Sequence, residues 1–185
     1  RFERHHVVGD IYGDTDCLSL IMLHGGGKSN RSRFDSLRKD LSTLGISSAA
    51  FDFVGCGESS GNRDHTTLEN QREQARRVVE DLKLRLPISV VGSSMGAYTA
   101  VRLLADFPIA NLILFVPAMY SARAASVPFN GGFTQIIRKP HSWVDSDAWA
   151  LLGQFTGNLI LVLAQNDAVI PKDATCAVRK TSVIA

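Results

Sequence analysis

Val91-Gly92-Ser93-Ser94-Met95-Gly96 follows the apolar run Ile88–Val91 and precedes a helical pattern over Met95–Ala105. An apolar strand running into glycine, serine and glycine at alternate positions reads as a sharp turn from strand to helix. A serine on that turn holds its hydroxyl above the sheet, and the glycines two residues to either side leave room for the bent backbone. Ala97 and Ala100 are small enough to let the helix lie close. The first N–H groups of the helix and its positive dipole end then face the place where an oxyanion would develop. A plain glycine turn with no chemistry is the alternative reading.

Outward from this turn the chain alternates between two kinds of segment. Cys17–Leu23, Ser47–Phe53, Ile88–Val91, Leu112–Val116 and Leu159–Leu163 are short apolar runs, continuous more than alternating. Such runs are expected of parallel strands covered on both faces. Between them, Phe34, Leu37, Leu41 and Leu44 share one face of a helix over Arg31–Leu44. Ala75, Val78, Val79, Leu82 and Leu86 do the same over Leu68–Leu86. Thr66 with Glu69 reads as a capping box, and Pro87 as the stop. Phe2–Tyr12 adds one or two edge strands. The fold class expected is α/β: a doubly wound, mostly parallel sheet with helices on both faces. Residues 1–185 read as a single domain without an interdomain linker.

In such sheets ligands bind beyond the carboxyl ends of the strands. After Leu23 comes Leu23-His24-Gly25-Gly26-Gly27, a turn that can aim a backbone N–H at the serine turn. Gly26, with Gly27 close behind, and Met95 are the candidate oxyanion-hole donors. His24 reads as a structural histidine orienting that loop. After the second run comes Asp52-Phe53-Val54-Gly55-Cys56-Gly57-Glu58-Ser59-Ser60-Gly61. After the last comes Ala164-Gln165-Asn166-Asp167-Ala168-Val169-Ile170-Pro171.

These four motifs, in this order, resemble the α/β-hydrolase family. D-x-x-G-x-G-x-S-x-G resembles the branch of monoacylglycerol-lipase-like esterases and serine aminopeptidase-like hydrolases. The resemblance runs from about Leu18 to Pro171. It implies a carboxylic-ester hydrolase working through an acyl-enzyme on Ser94, with Asp167 orienting the catalytic imidazole. It also implies that Asp52 shapes the fold beside the site and that Cys56 is a bystander. Peptide or thioester hydrolysis remains open, since one constellation serves all three. So does a catalytically silent or partial domain that binds a ligand or partner. Serine at the elbow argues against dehalogenases and epoxide hydrolases, which the family equips with aspartate there.

One departure matters. The family's histidine follows the acid, after a helix and a strand that take roughly 20–30 residues. The five histidines here, His5, His6, His24, His65 and His141, all precede Asp167. The sequence opens on Arg1 and ends at Ala185, 18 residues past Asp167. The expectation is a C-terminally incomplete domain that is not a competent hydrolase by itself. A longer natural chain would supply the histidine, together with a strand covering the edge of the Leu159–Leu163 run.

Residues 117–158 read as a cap insert, placed after the sixth strand in the family's count. Tyr120, Phe129, Phe133, Trp143, Trp149 and Phe155 fall in it; of these, Trp143, Phe129 and Tyr120 are the candidate substrate-binding residues. They either line an acyl pocket or only pack the cap down. Composition is ordinary, with 45% apolar and 21% charged residues and a net charge of +2. That charge implies no nucleic-acid or membrane partner. Three scattered cysteines fit a reduced, cytoplasmic protein, and no spacing suggests a metal or other cofactor. The partner expected is a small-molecule acyl substrate, of small or medium apolar type. Oligomeric state is not legible.

Overall fold

A computed structural model describes residue 2 and residues 4–167 and 169–181 of the chain. Ala168 of the last motif, Ala185 and Glu3 of the opening segment lie outside the described residues.

Six strands form one sheet: β1 (Gly9–Tyr12), β2 (Leu20–Leu23), β3 (Ser48–Phe51), β4 (Ile88–Ser93), β5 (Ile109–Phe115) and β6 (Asn158–Val162). Their order is β1-β3-β2-β4-β5-β6. β1 runs antiparallel to β3, and every other pairing is parallel. The chain goes from β2 outward to β3, then crosses to β4 on the other side. The sheet therefore reverses direction between β2 and β4, the place where doubly wound sheets hold ligands.

The helices are α1 (Asp35–Thr43), α2 (Leu68–Asp81), α3 (Met95–Arg102), α4 (Thr134–Ile137), α5 (Ala148–Gln154) and α6 (Lys172–Thr181). β2 shows how the two faces are divided. Leu20 and Met22 pack with Phe34, Leu37 and Leu41 around α1. Ile21 and Leu23 point the other way, into the larger core with Ala75, Val79, Tyr98 and Val101. Alternate residues of a strand face opposite sides, so both faces must be apolar when both are covered.

Several boundaries differ from the sequence expectation. Thr15–Cys17 form a 3-10 turn, not the start of a strand, and Arg31–Phe34 form another ahead of α1. Leu44 lies past the end of α1 and is 74% exposed. The capping box is Thr67 with Asn70, one residue on from the expected pair: each side chain meets the other's backbone N–H at 3.0–3.1 Å. α2 stops well before Pro87. Lys83 takes a left-handed conformation, and the N–H of Leu84 reaches back to the Val79 carbonyl at 3.1 Å. That closes the helix as glycine commonly does and leaves Leu86 56% exposed. β6 is an alternating strand: Leu159 and Leu161 pack into the core, while Ile160 is 54% exposed. Among the described residues no helix covers that part of the α1 face.

The segment between β5 and β6 follows the fifth strand of this chain and carries α4 and α5. α5 packs on α3. Asp147 fastens it there, accepting from the Tyr98 hydroxyl at 2.7 Å and pairing with Arg102 at 3.1 Å.

His24 joins the end of β2 to the chain leaving β3. Its Nδ1 donates to the Gly25 carbonyl at 2.7 Å, and its Nε2 accepts from the Phe53 N–H at 3.1 Å. Its ring also lies against Phe53, with centroids 4.9 Å apart. Burial pushes the imidazole below its ordinary value of 6.5, so it is held neutral. When the chain unfolds, His24 regains that ordinary value and binds a proton the folded state refuses. Stability is therefore expected to fall as pH drops below about 6.5, by up to about 1.4 kcal/mol per pH unit. Urea midpoints measured between pH 7.5 and 5.5 check this. A His24→Gln variant, less stable throughout, should show a flatter dependence, and an equally steep one would contradict this assignment.

Candidate active site

The elbow is built by close approach. A Cβ on Gly96 would collide with the carbonyl oxygens of Leu23 and His24, and one on Gly92 with the backbone of Gly96 and Ala97. Only glycine lets α3 start this near the end of β2. The chain then turns in a single residue, and Ser94 adopts φ 53°, ψ −115°. Three backbone hydrogen bonds hold it. Its N–H donates to Phe115 at 2.9 Å, and its carbonyl accepts from Ala97 at 3.0 Å and Ala118 at 3.3 Å. Ser94 is half-buried, and its hydroxyl makes no hydrogen bond among the described residues.

The glycine turn after β2 lies against this elbow. A Cβ on Gly25 would come within 3.2 Å of the Ser94 Cβ, and one on Gly26 within 3.1 Å of the Met95 side chain. Gly27, at φ 69°, would meet nothing. Gly25 is thus the glycine against Ser94 and Gly26 lies against the end of the Met95 side chain, while Gly27 faces open space.

Asp52 is fully buried and serves the scaffold. It accepts from the backbone N–H of Arg31 at 2.7 Å and of Glu58 at 2.9 Å, and pairs with the Arg31 guanidinium. Ser59 donates to the Asp52 carbonyl at 2.6 Å and accepts from Val8 at 2.8 Å, tying the loop to the start of the chain. Cys56 is buried in the core, and that burial pushes its thiol up.

Asp167 follows β6. β4, β5 and β6 are parallel, so Ser94 and Asp167 lie at the same end of the sheet, with β5 between them and not on adjacent strands. One carboxylate oxygen, Oδ1, accepts from the N–H groups of Val169 at 2.8 Å and Ile170 at 2.9 Å. No hydrogen bond or ion pair joins it to an imidazole among the described residues.

A cavity of about 660 Å³ opens between this end of the sheet and the segment after β5. Tyr120, Phe129 and Trp143 line it, with Met95, Ala118 and Ile170 from the sheet side. Met95 and Ala118 flank Ser94 through the backbone, although the Ser94 side chain is not itself part of the wall. Tyr98 and Tyr120 pack edge to face, as do Phe129 and Phe133. The tryptophans divide: Trp143 reaches the cavity, and Trp149 donates to the Trp143 carbonyl at 2.9 Å behind it. His141 lies in the wall near Trp143. His24 is committed on both nitrogens, and His65 is exposed at the end of the turn Arg63–His65.

Sequence reasoning missed Arg63, which also lines the cavity with its guanidinium 4.8 Å from the Phe129 ring. The family motif ends at Gly61, and nothing in composition or periodicity separates Arg63 from a surface arginine. No described helix is long and apolar enough to cross a membrane. Among the described residues no group of three metal-ligating side chains comes together.

Comparison with known proteins agrees with this architecture. "Proline iminopeptidase" of Lactobacillus helveticus is 32% identical over 91 residues, a match covering 48% of this chain and 31% of that protein. The chain thus matches about a third of that relative's length. Among solved structures, Est1E from Butyrivibrio proteoclasticus, with ferulic acid bound, superposes at a TM-score of 0.76 with 17% identity. That match covers 98% of this chain and 84% of Est1E. A monoacylglycerol lipase from Paleococcus ferrophilus gives 0.73 and 18%, covering 96% and 85%. At such identities these two structures speak for the fold alone. The profile of the family "Serine aminopeptidase, S33" (Hydrolase_4) matches residues 16–146, and the chain belongs to that family of α/β-hydrolases.

Proposed function

We propose that the protein is a serine hydrolase of small carboxylic esters that works through an acyl-enzyme on Ser94. The observation that carries this reading is the elbow. Ser94 is pinned at a positive φ, its hydroxyl is uncommitted, Met95 follows it, and Gly25 lies against it with Gly26 next in the turn. In this reading the hydroxyl attacks the ester carbonyl, and the N–H groups of Met95 and Gly26 hold the oxyanion. The aromatic cavity receives the acyl group, and Asp167 orients an imidazole that none of the five histidines here supplies.

The family description and the iminopeptidase relative favour a second reading, an aminopeptidase. Charge speaks against it. An aminopeptidase must hold a free ammonium, which is largely protonated at neutral pH. The cavity presents Arg63, Arg138 and Lys139, none of them ion-paired among the described residues, against Asp64. That field repels an ammonium group.

A panel of p-nitrophenyl esters and aminoacyl p-nitroanilides, including the prolyl one, separates the readings. Ester turnover with Ser94→Ala reduced to background is expected, as is loss of fluorophosphonate labelling in that variant. Anilide turnover without ester turnover would establish the peptidase. A second measurement concerns the base. His141 is the histidine in the cavity wall, and His141→Ala is expected to leave ester turnover and labelling at the level of residues 1–185. Losing a triad member typically leaves only about 10³–10⁴-fold catalysis over water. Abolition of turnover in His141→Ala would make the base internal and overturn this part of the proposal.

A further inference from the structure

Arg63 differs from every other buried or half-buried arginine among the described residues. Arg31, Arg38, Arg72, Arg76 and Arg102 each pair with a carboxylate. Arg63 makes no ion pair, and its Nε is buried without any hydrogen-bond partner. Leaving a charged donor unsatisfied in a protein interior is costly, so such groups ordinarily find an acceptor.

The position of Arg63 is nonetheless fixed. Its carbonyl accepts from both the N–H and the hydroxyl of Thr66, at 2.9 and 2.8 Å. Asn62 caps the same turn, and a Cβ on Gly55 would collide with the Arg63 backbone. The Thr66 carbonyl accepts from the Phe129 N–H at 3.0 Å, which brings that ring beside the guanidinium. On its other side Nη2 approaches Gly26, 3.5 Å from where a Cβ would sit, next to the Met95 side chain. The cation is therefore held next to Gly26 and the Met95 side chain.

Tyr120 supplies an independent second donor. It is buried in the same cavity wall, and its hydroxyl has no hydrogen-bond partner among the described residues. Burial pushes the phenol up, so it stays protonated and able to donate. Asp64 and His141 also line the cavity, and neither pairs with Arg63.

We infer that Arg63 and the Tyr120 hydroxyl receive a carboxylate carried by the acyl part of the substrate, so that the preferred esters are half-esters of short dicarboxylic acids. A guanidinium presents a planar fork of donors that matches a carboxylate in two parallel hydrogen bonds. The inference deepens the ester reading and rests on it for the position of the acyl group. It also qualifies the purely apolar acyl group expected from the sequence.

The test has two parts. Calorimetric titration of residues 1–185 with glutarate, and with neutral glutaramide as control, reads binding apart from catalysis. Glutarate should bind and glutaramide should not. Arg63→Gln should weaken glutarate about tenfold to a hundredfold. Arg63→Lys, which keeps the charge but not the fork, should fall between. Arg85→Gln, on an exposed stretch away from the cavity, should match wild type. The second part compares kcat/KM for the p-nitrophenyl half-ester of glutaric acid and for p-nitrophenyl valerate. Preference for the half-ester in wild type, lost in Arg63→Gln, is expected.

Glutarate binding indifferent to both Arg63 substitutions, with their circular dichroism unchanged, would overturn the inference even if Ser94 turns over valerate. Arg63-dependent glutarate binding beside anilide turnover and no ester turnover would sustain the carboxylate site and sink the ester reading.

Discussion

Everything in the site depends on how closely α3 approaches the end of β2. Gly96 lies against the carbonyl oxygens of Leu23 and His24, so the chain must leave β4 and enter the helix within one residue. Ser94 absorbs that change at φ 53°, a conformation that costs a residue with a side chain about 1–3 kcal/mol. Bonds from the Ser94 N–H to Phe115, and to its carbonyl from Ala97 and Ala118, offset the strain, as does the complete burial of Ala97, Tyr98, Ala100 and Val101. The constraint propagates along the sheet. Phe115 ends β5, and Val116, also at positive φ, donates to the Val162 carbonyl at 2.8 Å. The ends of β4, β5 and β6 are thereby linked in series, which fixes where the loop carrying Asp167 begins.

Charge is distributed unevenly about this frame. On the side of β1 and β3, carboxylates and guanidiniums neutralise one another. Arg38, wholly buried, pairs with Asp10, donates to the Ser48 carbonyl at 3.1 Å and lies 4.1 Å from the Tyr12 ring centroid. Arg31 bridges Asp10, Asp52 and Glu58. These pairs serve to hold the antiparallel edge strand and the glycine-rich loop after β3. On the cavity side the basic groups have no such partners among the described residues. A buried pair is weak evidence for anything beyond position; the unpaired Arg63 is the group for which a ligand is proposed.

The sequence was legible where a residue type has one structural use. Gly92, Ser94 and Gly96 announced a turn that only glycine permits. The apolar runs announced strands, because covering both faces removes the usual alternation. It was less legible where tertiary contacts decide. α2 ends at a left-handed Lys83, which carries no glycine to mark it, so the amphipathic pattern ran on to Leu86. The capping box slid by one because Thr66 is used instead to hold the carbonyl of Arg63. The alternating burial of β6 could not be read from Leu159–Leu163, where every residue is apolar. Arg63 was invisible because its distinction lies in what it lacks, a carboxylate partner, and that is a property of three-dimensional neighbours.

The histidines make the same point about site chemistry. His24 stands at the end of a strand in the middle of the ligand-binding edge, where a search by position alone would put a base. A base needs a ring nitrogen free to take a proton, and both of its nitrogens are committed to backbone groups. Burial further penalises the charged imidazolium that catalysis requires. Asp167 presents the opposite case. Oδ1 is occupied by two backbone N–H groups, which orient the carboxylate, while Oδ2 has no bond among the described residues. An acid whose task is to align an imidazole needs that combination of a fixed direction and one oxygen left to accept. The proposed role for Asp167 rests on this geometry together with its motif. The same accounting of committed and uncommitted polar atoms that removes His24 also singles out Tyr120 and Arg63 in one cavity wall, and the Ser94 hydroxyl on the elbow that adjoins it.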